Sequence, residues 1–315
     1  MRIVFMGTPE FAAGILEAVI NEGQLEVCAV VTMPDKAAGR GMKIQKSAVK
    51  QCAEKYQLPL LQPEKLREEQ FLSTLKAIQA DLFLVVAFRM LPEVVWQIPP
   101  KGTINLHASL LPDYRGAAPI NWAIINGEKQ TGVTTFFINE KIDQGKIILR
   151  RSLPIGEEET AGELHDSLLE LGKTTVLDTL HLIAKGNVPT LEQALTINDK
   201  SAPKIFKEDC RINWHQPAEK VHDFIRGLSP YPAAFTTYTD RKGQEVMMKI
   251  FASAVEPAEG GEEAGIFVTN DKNYLAITCQ SGRICIKELQ IFGKKRLKIS
   301  EFLLGNKGLN GRKLS

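Results

Sequence analysis

The chain has 315 residues, of which 44% are hydrophobic and 24% charged, and its formal net charge is +2. This length favours two domains, because domains usually hold about 100–200 residues, and the composition is ordinary for a globular protein. No run approaches the roughly 18 apolar residues of a membrane span, and the N-terminal residues lack the features of a signal peptide. The five cysteines are scattered without CxxC spacing, which argues against disulfides and zinc and predicts reduced thiols in a cytoplasmic protein.

The first half of the chain alternates short β-rich runs with helical stretches. After the first run, Thr8 is a plausible helix N-cap and Pro9 suits the first helical position. Strands that alternate with helices predict a Rossmann-like, mostly parallel sheet built from βαβ crossovers. Strands are predicted at 2–6, 25–32, 81–87, 102–107 and 132–138, and a helix at about 46–56.

The character of the sequence changes in the region that joins the two halves. Residues 188–205 mix Gly, Pro, Asn and Ser without helical periodicity, which is typical of a linker. Beyond it, short β-rich runs separated by Gly, Asn and Asp turns predict a small antiparallel barrel. We therefore expect a first domain at 1–187 and a second at 206–315.

The most informative polar pair is Asn105 and His107, at the end of a predicted strand. Residues two apart on a strand share a face, and ligands of open α/β sheets bind at the carboxyl ends of the strands. An amide and an imidazole on one face can hold a polarised carbonyl oxygen and manage a proton. An isolated Asn and His at a strand end are nevertheless more often structural than catalytic. Only the segment that follows favours a binding site, because its Pro, Tyr, Arg and Gly do not form a regular helix or strand.

Asp143 is a second acid/base candidate, because it follows another predicted strand at 132–138. An Asp with a Gly two residues later is also an ordinary turn. If its carboxylate lies near His107, it would orient the imidazole.

Two cofactor classes are disfavoured by the sequence. The N-terminal Gly7-Thr8-Pro9 lacks the GxGxxG fingerprint, and Pro9 removes an N–H from the helix start, so nicotinamide binding is not expected. No cluster of ligating residues indicates a metal site.

Three segments together carry a family resemblance: MGTPEFA at the N-terminus, NLHASLLPDYRGAAPI at 105–120 and IDQG at 142–145. The chain resembles the folate-dependent formyltransferases, and among them those that act on methionyl-tRNA. The long SLLPDYRG string is highly specific, whereas Asn-x-His alone would not be. The resemblance continues past the linker through Lys204, Lys207-Glu208, Ile212, Trp214, Ile225-Arg226-Gly227 and Pro230-Tyr-Pro232.

The resemblance implies the formyltransferase fold with a C-terminal OB-like barrel, and 10-formyltetrahydrofolate as formyl donor. By position, it implies that Asn105, His107 and Asp143 are the catalytic residues. Phe-Arg-Met at 88–90 departs from the residues usual in the family, which leaves the contacts of the Arg89 side chain open. The implied folate-binding residues are Phe88, Arg89, Met90, Leu91, Ser109, Leu110, Leu111 and Pro112.

Two basic segments point to an RNA acceptor, which the resemblance identifies as methionyl-initiator tRNA bound by a monomer. The loop at 35–50 holds five cations after its first acid, and 293–315 holds seven cations against Glu301 alone. Basic surfaces bind phosphate backbones, although a solvated loop has the same composition. Asn213 and Tyr231 replace the Asp and Trp usual in the family. The predicted tRNA contacts are Lys36, Arg40, Lys43, Lys46, Lys294, Lys295 and Arg296.

Other functions remain possible at this point. A formyltransferase acting on an amino-sugar nucleotide would share Asn105, His107 and Asp143 and can carry a similar barrel, and only the basic segments disfavour it. A glycinamide ribonucleotide enzyme would typically lack the second domain. A non-catalytic RNA-binding protein would be expected to have lost part of the catalytic set, which is intact here.

Overall fold

The computed structural model describes residues 1–38, 43–186, 188–194, 199–258 and 261–314. The chain forms two compact units. The first comprises Met1–Gly116, Thr131–Leu153 and His165–Ser201, and the second comprises Ala117–Gln130, Pro154–Leu164 and Ala202–Ser315.

The first unit is built on a sheet whose strands run in the order β10–β9–β7–β6–β1–β2–β5. The strand bounds are β1 Arg2–Gly7, β2 Glu26–Val31, β3 Lys36–Ala38, β4 Lys43–Gln45, β5 Leu60–Leu61, β6 Leu82–Val86, β7 Thr103–His107, β8 Arg115–Gly116, β9 Gln130–Phe137, β10 Ile147–Pro154 and β11 Ser201–Ala202. The helices up to this point are α1 Glu10–Asn21, α2 Ala48–Lys55, α3 Glu69–Ile78, α4 Glu93–Trp96, α5 Pro119–Ile125 and α6 Ala161–Lys185.

The central strands of this sheet are buried on both faces. Every residue of β6 is buried, and so are the last five of β1. Such strands are continuous apolar runs because helices cover both faces of a parallel sheet. The predicted mostly parallel sheet is confirmed: β1 pairs in parallel with β2 and β6, and β6 pairs in parallel with β7.

The start of α1 differs from the prediction. The helix begins at Glu10, and its N-cap is Pro9, which makes no side-chain capping bond. Thr8 Oγ1 is instead buried without a hydrogen-bond partner among the described residues. Thr8 is therefore not the N-cap; the extended backbone of Pro9 lengthens the turn by one residue.

The second unit contains an antiparallel sheet in the order β12–β13–β16–β15–β14, with β17 paired to β16. β13 and β16 lose register at two points, between Ile250 and Ala252 and between Ala252 and Ser253, and such irregularities bend a strand. This curled antiparallel sheet confirms the predicted OB-like class. The remaining elements are a 3₁₀ turn Glu208–Cys210, α7 Ala218–Gly227, β12 Ala234–Thr239, β13 Glu245–Glu256, β14 Phe267–Thr269, β15 Leu275–Thr278, β16 Arg283–Ile291, β17 Arg296–Lys298 and α8 Ile299–Gly305.

The second unit also includes α5, which comes from the first half of the chain. Asn121 Nδ2 donates to the carbonyl of Gly227, at the end of α7, over 2.8 Å. A Cβ on Gly227 would lie 2.7 Å from Ile125, so the two helices need glycine there for their close approach.

None of the helices in the described part of the chain is both long enough and apolar enough to cross a membrane.

Candidate active site

β7 presents alternating core and polar residues at the middle of the first unit. Ile104 and Leu106 are buried in the core, and the intervening Asn105 and His107 therefore point to the other face. β7 pairs in parallel with β6 but antiparallel with β9, so the parallel part of the sheet ends at this strand.

The imidazole of His107 is buried and held on one side by the backbone. Its Nε2 lies 2.8 Å from the carbonyl of Tyr114. Because a carbonyl only accepts, Nε2 carries a hydrogen, and the nitrogen left to gain or lose a proton is Nδ1.

His107 Nδ1 lies 3.9 Å from Asp143 Oδ2, and the two side chains are 8% and 13% exposed. This distance is too long for a direct hydrogen bond, so the two groups interact electrostatically when the ring is protonated. The structure thus brings together two of the residues predicted from the sequence.

Asp143 reaches His107 by a route that the order of the strands does not predict. Since β9 runs antiparallel to β7, its carboxyl end lies beside Ile104, at the opposite end of β7 from His107. The carboxyl-end rule for parallel strands therefore does not place Asp143. The loop after β9 brings it to His107, where the backbone N–H of Gly116 donates to Asp143 Oδ2 over 3.1 Å.

The backbone of Asp143 is held by side chains to which the sequence analysis assigned no role. Arg115 Nε and Gln193 Nε2 both donate to the carbonyl of Asp143, each over 3.0 Å. Gln193 also donates to Gly145 over 2.8 Å and accepts from Arg115, which in turn binds Asp199 over 3.1 Å. Arg115 stands in the diagnostic SLLPDYRG string, but nothing in the linker sequence marked Gln193.

Asn105 carries an unsatisfied acceptor. Its Oδ1 is buried and has no hydrogen-bond partner among the described residues. A buried polar atom without a partner is costly, so this amide suits a ligand that supplies one.

Within the described residues no group of three or more His, Cys, Asp or Glu could hold a metal ion.

The loop after β6 carries the predicted residues Phe88–Leu91. The guanidinium of Arg89 donates to the carbonyls of Pro63 over 2.5 Å and Glu64 over 2.7 Å. Burial lowers the pKa of Arg89, and its Nε has no partner among the described residues. The side chain is thus bound to its own protein, while Met90 is exposed and Leu91 is buried.

The segment Ser109–Pro112 is held by hydrogen bonds within the unit. Ser109 Oγ donates to the carbonyl of Asp113, and Thr134 Oγ1 donates to the carbonyl of Ser109 and accepts from the N–H of Leu111. Leu111 is fully buried, and its carbonyl accepts from Arg150. Leu110 and Pro112 are partly exposed.

The predicted tRNA contacts are only partly described by the structure. Arg40 lies outside the described residues, as do the side chains of Lys36 and Lys43 in the β3–β4 hairpin. Lys46 forms an ion pair of 2.8 Å with Glu54, whose hydrogen bond raises the pKa of Lys46. Lys294 and Lys295 are exposed in the turn before β17, and Arg296 pairs with Glu288.

The family assignment rests on matches over most of the chain. Residues 1–180 match the formyl transferase family, and residues 204–307 match the formyl transferase C-terminal domain. The chain belongs to the formyltransferase family. A methionyl-tRNA formyltransferase from Bacteroides fragilis is 52% identical to it over 97% of this chain and 95% of its own length. Another from Flavobacterium johnsoniae is 51% identical over 97% and 96%.

A solved formyltransferase structure shares this fold. WlaRD, a sugar 3N-formyl transferase crystallised in the presence of dTDP and 5-N-formyl-THF, has a TM-score of 0.64 and 20% identity. The match covers 94% of this chain and 99% of that one. Identity this low shows a common fold and carries no argument about the acceptor.

Proposed function

We propose that this formyltransferase transfers the formyl group of 10-formyltetrahydrofolate to the free amino group of methionyl-initiator tRNA, giving N-formylmethionyl-tRNA for translation initiation. The observation that carries the proposal is the buried His107–Asp143 pair, 3.9 Å apart, in a chain about 50% identical to methionyl-tRNA formyltransferases over nearly its whole length.

His107 and Asp143 manage the proton. The neutral imidazole carries its hydrogen on Nε2, toward the Tyr114 carbonyl, so Nδ1 accepts the proton that the attacking amine loses. The Asp143 carboxylate stabilises the resulting imidazolium through space. The protonated ring stabilises the negative charge on the formyl oxygen of the tetrahedral adduct that the amine forms with the formyl carbon. When this adduct collapses, the bond between the formyl carbon and N10 of the donor breaks, and Nδ1 gives its proton to the departing N10, so that tetrahydrofolate leaves.

Asn105 is proposed to orient the reacting groups. Its amide nitrogen donates to the developing oxyanion, and its buried Oδ1 accepts a hydrogen from the amine. This assignment gives the orphaned oxygen the partner that it lacks. We expect Asn105→Asp, which replaces the donor with an acceptor of the same shape, to lower kcat about 100- to 1,000-fold.

The donor is assigned to the loops on either side of this set. We propose that the backbone of Phe88–Leu91 and the segment Ser109–Pro112 line the folate site. The Arg89 side chain is tied to the carbonyls of residues 63 and 64, so it would position the loop without contacting folate. The exposed Lys294 and Lys295 are proposed to contact the tRNA backbone.

We further propose that the enzyme is a cytoplasmic monomer. The scattered reduced cysteines and the translation substrate support the compartment. Size-exclusion chromatography with light scattering would test the oligomeric state, with a mass close to the 34.9 kDa of one chain expected.

The deciding experiment is transfer of labelled formyl from 10-formyltetrahydrofolate, with four acceptors compared: methionyl-initiator tRNA, elongator methionyl-tRNA, free methionine and an amino-sugar nucleotide. We expect formylation of the initiator tRNA, abolished in His107→Ala. Transfer to the amino sugar and not to any tRNA would keep the chemistry and overturn the proposed acceptor.

A further inference from the structure

The second unit contains an open cavity that the proposed catalytic chemistry does not use. Its volume is about 460 Å³, within the range of about 300–1,000 Å³ typical of small-ligand sites. The chain segments around it are the start of α5, the 3₁₀ turn and the residues just before it, and strands of the antiparallel sheet. The lining side chains that matter here are Phe206, Tyr231, Phe292, Lys204, Lys207 and Lys249.

Three aromatic side chains that line this cavity are exposed to solvent over more than half of their surface. Phe206 is 56% exposed, Tyr231 82% and Phe292 72%. Large apolar side chains gathered in one exposed patch usually mark a binding surface. Pro230 and Pro232 flank Tyr231 and restrict its backbone. Binding a ligand to this ring therefore costs little further backbone entropy.

The charged side chains that line the cavity are all lysines, although Asp209 Oδ2, outside the lining, accepts from the backbone N–H of Phe206 over 2.8 Å. Lys204 Nζ lies 5.2 Å from the centre of the Phe206 ring, and Lys249 Nζ donates to the carbonyl of Pro232, next to Tyr231, over 3.0 Å. Lys207 also lines the cavity, and among its lining residues there is no Asp or Glu. Phe292 directly precedes the exposed turn that holds Lys294 and Lys295.

Exposed rings in a cavity lined by three lysines favour one class of ligand. Aromatic faces stack on nucleobases, and neighbouring lysines neutralise the phosphates of the same strand. A paired base cannot present its face to a protein ring, because both of its faces are already stacked in the helix. An apolar peptide would itself supply no negative charge to the three lysines of the lining.

We propose that this cavity binds an unpaired nucleotide of the RNA substrate, with its base stacked on the rings of Tyr231, Phe292 or Phe206. The inference rests on the proposed function for the identity of the RNA, but the stacking chemistry requires only a single-stranded nucleotide. The second unit would then recognise an unstacked base as well as the phosphate backbone.

The test compares Tyr231→Ala and Phe292→Ala with Tyr231→Phe and with Leu304→Ala in the full-length protein. Leu304 is the matched control, since it is 79% exposed in the same unit but does not line the cavity. Dissociation constants are measured for methionyl-initiator tRNA, a single-stranded RNA hexanucleotide of mixed sequence and a blunt RNA duplex. In addition, Tyr231→Trp provides a fluorescence signal that stacking should quench.

We expect each alanine variant to weaken binding of the tRNA and the hexanucleotide about 5- to 100-fold, and of the duplex much less. Tyr231→Phe and Leu304→Ala should bind as the wild type does. Alanine variants that bind all three RNAs unchanged would overturn the proposal and leave the patch to a protein partner. If the wild type fails to formylate any tRNA but its hexanucleotide binding still depends on these rings, the proposed function fails while this inference stands.

Discussion

Asp143 adopts a backbone conformation that the surrounding groups must hold in place. Its φ is 53°, in the left-handed region that non-glycine residues seldom occupy. The bonds from Arg115 and Gln193 to its carbonyl oppose relaxation of this conformation. The position of the carboxylate beside His107 therefore depends on Arg115 and Gln193, to which the proposed mechanism gives no chemical step.

Gln193 is expected to act as a positioning residue. Gln193→Ala removes the donor to the carbonyls of Asp143 and Gly145, so the loop should relax and kcat should fall about tenfold or more. The KM for tRNA should change little, because the loss is at the reacting centre. Steady-state kinetics against both substrates measure this, with Gln97→Ala as control, since Gln97 is exposed and, among the described residues, its side chain bonds to Glu93 alone. An unchanged kcat would show that Arg115 alone holds the loop.

His107 and Asp143 should behave as one catalytic unit. His107→Asn and Asp143→Asn are each expected to lower kcat about 100- to 10,000-fold. In the double variant the further loss should be small, because either change alone already breaks the proton-transfer pair. A double-mutant cycle on kcat tests this, and fully multiplicative effects would mean that the two residues act independently.

At the level of helices and strands, the packing of α5 on α7 is set by a single glycine. Gly227→Ala would place a methyl group 2.7 Å from Ile125 and 3.2 Å from the carbonyl of Asn121. We expect a loss of about 1–3 kcal/mol in the free energy of unfolding, measured by urea denaturation.

Gly305 provides the control, because it also ends a helix and a Cβ there meets nothing within 4 Å. Gly305→Ala should leave stability unchanged or raise it by less than about 1 kcal/mol. Equal effects of the two substitutions would show that the close helix approach is not what Gly227 provides.

α7 also carries a buried histidine whose protonation should oppose folding. Burial lowers the pKa of His222, and this outweighs the attraction of Glu158; its Nδ1 bonds to Ser253 Oγ over 3.0 Å. Nε2 of His222 lies 3.5 Å from Glu158 Oε2, which is close enough for electrostatic attraction. The two atoms do not have hydrogen-bond geometry, so Nε2 has no hydrogen-bond partner among the described residues.

The unfolded chain therefore takes up this proton at a higher pH than the folded protein. The free energy of unfolding should fall as pH drops through the ordinary histidine pKa of about 6.5 and on toward the lower folded value. His222→Gln removes the group, so its stability should fall less between pH 7.5 and 5.5. Parallel urea titrations at both values test this, and identical pH dependences would refute it.

For the whole protein, the net charge of +2 conceals a local excess of cations. Arg296 and Lys313 pair with Glu288 and Glu263, whereas Lys294 and Lys295 stand exposed in a turn. Exposed cations that meet phosphates release counterions and make binding salt-dependent.

The Lys294→Gln/Lys295→Gln variant should bind methionyl-initiator tRNA more weakly, and the slope of log affinity against log salt should become shallower by about 1–2. The matched control is Lys242→Gln/Lys272→Gln, which removes two exposed lysines from other turns of the same unit. Binding curves at four salt concentrations measure both variants. An equal change in slope for the two pairs would assign the effect to overall charge.

Local sequence patterns predict the fold class and five of the seven strands in the main sheet of the first unit, but not β5 or β10. β1 and β6 are continuous apolar runs because both of their faces are buried, and the turn-rich second half predicts an antiparallel domain. The family resemblance implies roles for Asn105 and His107, which stand just before the specific SLLPDYRG string, and for Asp143, which stands in the separate IDQG motif. Pro9, and not the predicted Thr8, is the N-cap of α1, because capping depends on the backbone angles of a single residue, which composition does not determine.

Tertiary structure alone decided how the site is assembled. The antiparallel course of β9 sends its carboxyl end away from His107, and a returning loop, bonded to Arg115 and Gln193, brings Asp143 back. Which nitrogen of His107 carries the hydrogen depends on a carbonyl seven residues later. Likewise, Phe206, Tyr231 and Phe292 line one cavity although long segments separate them in the chain. The sequence determines which side chains are available. Contacts between distant segments are decided only when strand direction and packing are set, because no local pattern encodes such contacts.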